Sequence, residues 1–226
     1  LTLRMQCGLQ ESPYLGSLAS ILPTWEWVEH IIDLSATPAT PFLSYREILA
    51  MNSPLSPELE LDAEDIAMFR YSSGTTGRPK GAMMRHRNEM AALNITVDGL
   101  MQTEDDIFLV PFVLPAHWMF YFCMPTLLGG GTAVIAPGLA VDELLGTIER
   151  EKITFLFGFP PQLTEMGNIP MEQVKRFDLS SLRMCLGVGF LAADIRSKFK
   201  QRFGFDITDG YGFAESPSWV TLQPLD

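Results

Sequence analysis

Tyr71-Ser72-Ser73-Gly74-Thr75-Thr76-Gly77-Arg78-Pro79-Lys80-Gly81 places three glycines, four aliphatic hydroxyls and two cations within eleven residues. An apolar run, Ile66-Ala67-Met68-Phe69, leads into it and reads as a buried strand; a polar, helix-like run begins near His86. Glycine lets backbone N–H groups turn toward a ligand through conformations that a Cβ forbids. Hydroxyls and N–H groups donate to oxyanions, and Lys80 adds a point charge suited to phosphate. The stretch therefore reads as an oxyanion cradle, with a solvated Ser/Gly/Thr turn as the bland alternative. It is not a Walker loop, which needs Gly-Lys-Ser/Thr opening directly into a helix. Here Lys80 is the third residue after Gly77, Pro79 precedes it and Gly81 follows it.

Outward from the cradle, strand-like and helix-like segments alternate. Residues 87–101 place Met90, Leu93, Val97 and Leu100 at helical spacing. Ile107-Phe108-Leu109-Val110 is a continuous apolar run that suits a strand buried on both faces. An apolar helix from near Trp118 to Leu127, a strand at 132–136 and an amphipathic helix over 141–152 follow. Strands at 153–158, 182–186 and 207–208 enclose a helix over 192–203. Upstream, Ser44-Tyr45-Arg46-Glu47 is a capping box that starts a short helix, and Trp25 to Ile32 reads as strand or short helix. The alternation specifies an α/β fold of layered, largely parallel sheets with helices on both faces. In such sheets ligands bind at the carboxyl ends of strands.

Composition narrows the function. With 47% hydrophobic and 19% charged residues, the 226-residue chain is globular. Its formal charge of −11 excludes a nucleic-acid surface, which needs clustered Lys and Arg. A cationic loop in an acidic protein suits a small anionic ligand gripped at one place. Cys7, Cys123 and Cys185 are scattered among apolar neighbours without metal-ligand spacing, so buried free thiols in a reducing, cytoplasmic setting are expected. Residues 107–128 carry no charge, but Pro111, Pro115 and Pro125 break any spanning helix, so no transmembrane segment is expected. The chain starts at Leu1 without a signal-peptide pattern and stops at Asp226 soon after a motif, and so reads as an internal piece of a longer protein. Nothing in it fixes an oligomeric state.

A second motif, Asp209-Gly210-Tyr211-Gly212-Phe213-Ala214-Glu215-Ser216, sets an aromatic between two glycines at a strand end. Such a ring can stack on a flat base, and Glu215 offers a hard oxygen ligand for Mg²⁺. A tyrosine in a Gly-rich turn beside a surface glutamate explains the same residues.

Together these stretches resemble the adenylate-forming superfamily, in its acyl-CoA synthetase branch. Residues 71–81 are similar to its phosphate-binding signature, and Gly74-Thr75-Thr76-Gly77 carries Thr where amino-acid-activating members usually carry Ser. Residues 209–216 are similar to its Tyr-Gly-x-Thr-Glu motif. The resemblance implies that Ser72, Ser73, Gly74, Thr75, Thr76, Gly77 and Lys80 hold the phosphates of ATP. It implies that Asp209, Gly210, Tyr211 and Gly212 contact the nucleotide, with Tyr211 stacked on adenine, and that Glu215 holds Mg²⁺. Leu186-Gly187-Val188-Gly189-Phe190-Leu191 is similar to a Ser-Gly-Gly-Ala-Pro-Leu turn, which places Gly187 and Val188 by the nucleotide and Gly189 by the acyl group. A tight strand-to-helix turn is the competing account of those glycines. Pro115-Ala116-His117-Trp118 is similar to a Pro-x-Phe-His stretch, one residue short, so His117 and Trp118 are expected on the carboxylate side; a core histidine is equally consistent.

The implied activity is MgATP-dependent conversion of a fatty or other apolar carboxylic acid to an acyl-adenylate, then transfer to coenzyme A. Lys80, Glu215 and His117 are the candidate catalytic groups. Ala214 stands where the family has Thr; one lost hydrogen bond to a charged group, roughly 1.5–3 kcal/mol, slows such an enzyme without abolishing it. Residues 1–226 then represent part of the large N-terminal AMP-binding domain. The ribose-binding Asp and the small C-terminal domain with its adenylation lysine are expected beyond Asp226. A nucleotide-binding module without catalysis and an amino-acid-activating domain are the other readings.

Overall fold

The computed structural model describes residues 2–5, 30–33, 38, 42–55, 58–72, 77–110, 116–136, 139–217 and 219–224, without the side chains of 2–5 and 116–120. The chain divides into two units, Leu1–Glu60 and Leu61–Asp226. In the first, β1 (Thr2–Met5), β2 (His30–Asp33) and β3 (Leu43–Ser44) form a parallel sheet in that order. Helix α1 (Tyr45–Met51) starts where the sequence places it: Ser44 Oγ accepts the Glu47 N–H at 3.3 Å. Of the Trp25–Ile32 stretch, His30–Ile32 belong to β2 and the rest lies outside the described residues.

The second unit opens with β4 (Ile66–Ser72) and β5 (Lys80–Arg85), which among the described residues pair only with each other, antiparallel. The lead-in to the cradle is therefore not a buried strand of the main sheet. Of β4 only Arg70 is buried, while Ile66, Phe69 and Tyr71 are exposed. Helix α2 (His86–Gly99) follows directly. Its buried face is Glu89, Ala92, Leu93 and Thr96, with Leu100 at the C-cap; Met90, expected inside, is exposed. The helix is turned so that Glu89 meets Arg70, and that ion pair outranks the methionine for the inward position.

Beyond it lie β6 (Ile107–Val110), α3 (Ala116–Leu128), β7 (Thr132–Ile135), α4 (Val141–Glu151), β8 (Phe155–Gly158), α5 (Pro160–Asn168) and α6 (Met171–Val174). The last elements are β9 (Met184–Val188), α7 (Ala193–Phe203), β10 (Ile207–Tyr211) and β11 (Thr221–Leu222). The sheet order is β11-β10-β9-β8-β6-β7, parallel except for β11. Alternation along each strand divides the core by face. Leu109, Leu156, Cys185 and Ile207 are register partners in one row across four strands, packed with Leu145 and Ile148 of α4, Leu163 of α5 and Phe199 of α7. The residues on either side, Phe108, Phe155, Phe157, Met184 and Leu186, face oppositely and meet Phe122 and Cys123 of α3. The expected α/β sheet with helices on both faces is what forms.

Strand order reverses direction after β7, which returns the chain to the other side of β6. Right-handed crossovers then put α3 on the face opposite α4, α5 and α7, as observed. Cys123 and Cys185 are buried thiols in no disulfide, Cys7 lies outside the described residues, and burial pushes the Cys123 thiol up to about 11. No described helix is long and apolar enough to cross a membrane.

Candidate functional site

The carboxyl ends of β9 and β10 open into two cavities that share Gly189, Gly210 and Tyr211. The first, about 330 Å³, is walled by Tyr121 and Phe122 of α3, Val188, the Gly210–Ala214 segment and Trp219. No charged side chain lines it among the described residues. The polar side chains among its described lining residues are Tyr121, whose hydroxyl is engaged, the exposed Tyr211, and Trp219, whose Nε1 is buried without a partner among the described residues. The second, about 640 Å³, is flanked by the exposed rings of Phe190 and Tyr211 and contains an ion pair between Arg196 and Asp209.

Strand geometry explains the positions. Gly189 has φ 87°, which permits the chain to leave β9 and turn back over Pro160. A Cβ on Gly210 would lie 2.8 Å from the Trp219 ring, so glycine is what allows that ring to seat against β10. Gly187 lines neither cavity. It is buried, and a Cβ there would lie 2.8 Å from Ile207 Cγ2 and 3.1 Å from Leu163 Cδ1, so its local role is close packing. Asp209 directs its carboxylate to Arg196, and Tyr211 stands 60% exposed at the end of β10 with Phe213 6.2 Å away.

In the cradle, Ser73, Gly74, Thr75 and Thr76 lie outside the described residues. Ser72 closes β4 and Lys80 opens β5 as direct register partners, so their side chains share one face of the ribbon. Tyr71 and Gly81 are the next pair, and the Tyr71 ring lies 3.1 Å from where a Cβ of residue 81 would stand. Gly77 has φ 84°, a conformation that favours glycine.

The two motifs meet. A hydrogen bond from Ser72, then one from its own backbone N–H and last the Lys80 ammonium, hold the exposed Glu215 carboxyl below its ordinary range. Glu215 is thus an ionised carboxylate beside the ribbon, although 135 or more residues separate it from both partners. His117 and Trp118 fall in the first turn of α3, the helix that walls the first cavity, and their side chains lie outside the described residues. Among the described residues no three His, Cys, Asp or Glu form a metal cage. One ionised carboxylate next to a hydroxyl fits Mg²⁺ that arrives on phosphates, because Mg²⁺ keeps waters and takes few protein ligands.

Sequence reasoning missed Arg70, Glu89 and Tyr121. Arg70 is 3% exposed and donates to Glu89 Oε2 at 2.6 Å, to the Ser216 carbonyl at 2.8 Å and to the Tyr121 hydroxyl. Burial raises the Glu89 carboxyl despite the opposing pull of Arg70. Burial likewise pushes the Tyr121 hydroxyl up to about 12, so it stays a neutral donor. The available signal was a lone arginine inside the apolar run 66–71.

The family described as AMP-binding enzyme matches residues 16–226. A feruloyl-CoA synthase of an Amycolatopsis species is 32% identical over 168 residues, 74% of this chain and 34% of that protein. The 4-coumarate–CoA ligase-like 9 of Arabidopsis thaliana is 33% identical over 194 residues, 82% of this chain and 34% of that protein. The chain thus spans about a third of the length of these relatives. Among solved structures, the anthranilate CoA ligase AuaEII in complex with anthranoyl-AMP superposes with a TM-score of 0.78 at 25% identity, over 99% of this chain and 42% of that one. Matched across nearly its whole length, the chain belongs to the AMP-binding enzyme family.

Proposed function

We propose that this chain supplies the phosphate and acyl contacts of an AMP-forming acid–thiol ligase, as part of its large N-terminal domain. The observation that carries the reading is the convergence of Ser72, Lys80 and Glu215 beside an apolar cavity at the sheet's carboxyl edge. In the first step a carboxylate oxygen attacks the α-phosphorus of ATP. The bond to the bridging oxygen breaks, and pyrophosphate leaves with the electron pair. The nucleophile is already ionised, so no general base is needed. The barrier lies in bringing anions together, which preorganised donors offset. Lys80 and the Ser72–Gly77 segment would hold the β,γ-phosphates, Tyr211 the base and Glu215 the metal, which supplies charge neutralisation when bound. In the second step the sulfur of coenzyme A attacks the acyl carbonyl carbon and AMP leaves. His117 and Trp118, in the first turn of α3, would stand on the carboxylate side.

The acid proposed is a planar aromatic one rather than a long fatty acid. The first cavity is small, uncharged and walled by Tyr121, Phe122, Phe213 and Trp219, and the relatives named above carry aromatic acids in their names. An α-amino group would find no acidic partner among its described lining residues, which disfavours amino-acid activation.

A hydroxylamine trap tests this on the protein carrying the chain. Hydroxamate from cinnamate- or benzoate-type acids in excess of that from medium-chain fatty acids is expected. ATP binding without hydroxamate from any acid would overturn catalysis and leave a binding module; hydroxamate from amino acids would overturn the substrate class. Residues 1–226 alone are expected to catalyse pyrophosphate exchange far more slowly than a whole ligase, and equal rates would refute that.

A further inference from the structure

Arg70 carries a charge in a place where stability alone does not ask for one. Its side chain is 1% exposed and that of its partner Glu89 is 4% exposed. Buried ion pairs can usually be replaced by apolar residues of similar volume at little cost or with a gain in stability. What apolar residues cannot reproduce is direction. The Arg70 fork binds Glu89 on α2, the Tyr121 hydroxyl on α3 and the carbonyl of Ser216, the residue after Glu215. The guanidinium also lies over the Tyr121 ring, 4.4 Å from its centroid.

The register gives these bonds a meaning. Arg70 and Ser72 are two apart on β4 and point to the same face. Arg70 holds the Ser216 carbonyl while Ser72 holds the Glu215 carboxylate. Two consecutive rungs therefore join the strand that enters the phosphate loop to the turn that carries Glu215. The inner rung is exposed and made by one hydroxyl; the outer is buried and made by a rigid planar fork.

We infer that Arg70, with Glu89 as its counter-charge, is a positioning residue that fixes Glu215 against the phosphate loop. The inference rests on the reading of Ser72 and Glu215 as a nucleotide site. Its function is to keep the metal-binding carboxylate at one distance from Lys80 while Tyr121, held by the same fork, keeps the wall of the first cavity in place. Among the described residues Glu89 Oε1 has no partner, so Glu89 serves Arg70 rather than a network of its own.

The test uses the protein carrying this chain and the double variant Arg70→Met/Glu89→Leu, which leaves no uncompensated buried charge, with Arg70→Lys as the milder companion. MgATP binding is expected to weaken about tenfold in the double variant, in line with the loss of an outer partner of a metal ligand. ATP binding in EDTA is expected to stay within about twofold, since metal placement is what is lost. Amide exchange at residues 213–216, followed without nucleotide, is expected to accelerate at least about tenfold in both variants. A folded double variant with wild-type MgATP affinity and unchanged exchange at 213–216 would overturn the inference. A wild-type protein that binds ATP equally with and without Mg²⁺ would overturn the reading of Glu215 instead, and the exchange measurement would still decide the role of Arg70.

Discussion

Asp106 offers the clearest test of how the sheet that carries the site is held together. It is 2% exposed at the entrance to β6, the end of the sheet away from the cavities. Its carboxylate accepts from Arg183 Nε at 2.9 Å and Nη2 at 2.7 Å, from Thr154 Oγ1 at 2.7 Å and from the Thr103 N–H at 2.9 Å. These bonds tie together the segments that open β6, β8 and β9. Burial alone would raise the Asp106 carboxyl, but the bonds from Arg183, Thr154 and Thr103 outweigh it and the net direction is down. In Asp106→Asn one oxygen becomes an NH₂ group, so one charge-assisted bond and one neutral bond lose their acceptor. Those are worth roughly 1.5–3 and 0.5–1.5 kcal/mol. The Arg183 side chain is 38% exposed and can turn to water, which favours the lower half, about 2–3 kcal/mol. With a urea m-value of roughly 2 kcal/mol/M, the midpoint should fall by about 1–1.5 M. The sign with pH is fixed by the same shift. A carboxyl whose folded value lies below its unfolded value of about 3.9 contributes fully above that pH and loses its contribution as pH falls through the folded value. The gap between wild type and variant should therefore be full at pH 7 and narrow below about pH 4. Urea titrations followed by tryptophan fluorescence at pH 7 and under acid conditions measure both. A midpoint loss under about 0.3 M at pH 7, or a gap that widens with acid, would refute the account.

Other positions separate packing from chemistry. Gly187→Ala forces a Cβ against Ile207 and Leu163 and should cost about 1–3 kcal/mol in urea unfolding while leaving the ATP dissociation constant within twofold, about the uncertainty of such a measurement. Ala214→Thr adds a hydroxyl on the rim of the first cavity and should speed hydroxamate formation by about ten- to a hundredfold; no gain would mean that the α-phosphate does not sit there. Lys80→Ala should raise the ATP dissociation constant by roughly tenfold or more, with the acid little affected, in a titration calorimeter. Trp219→Phe deletes an unpartnered buried donor and should leave stability unchanged or slightly higher, while discrimination between oxygen-substituted and plain aromatic acids falls by roughly fivefold.

Much of this molecule is legible because its strands are locally coded. Ile107–Val110 and Phe155–Gly158 are short apolar runs that only a strand buried on both faces uses, and each forms within two residues of where periodicity puts it. The helix over 141–152 is equally plain, since its apolar stripe and polar back alternate at helical spacing. What periodicity cannot deliver is pairing between distant segments. Ile66–Phe69 has the composition of a core strand, yet among the described residues it pairs only with the 80–85 strand, because a hairpin register is set across the loop rather than within the run. Met90 was drawn inward by its hydrophobicity, but the helix phase is set by Glu89, whose partner lies on another element. Likewise Gly187 carries the same letter as a ligand-facing glycine. Only the neighbours Ile207 and Leu163, which come from other elements, show that it is occupied with packing.

An acidic chain proposed to bind anions must keep its negative charge from acting at the cavities, and pairing does part of this. A net −11 would repel both ATP and a carboxylic acid if it acted at the cavities. Exposed charges more than about 10 Å apart are screened at ordinary ionic strength, so the groups near the site decide. There, Glu89 is neutralised by Arg70 and Asp209 by Arg196. Glu215 is left beside Ser72 and Lys80, the arrangement that the metal site proposed above needs. Arg196 thereby offsets a carboxylate that lines the second cavity, while Arg70 answers one buried on α2. Each also donates to backbone, Arg70 to the Ser216 carbonyl and Arg196 to that of Ile207, the first residue of β10.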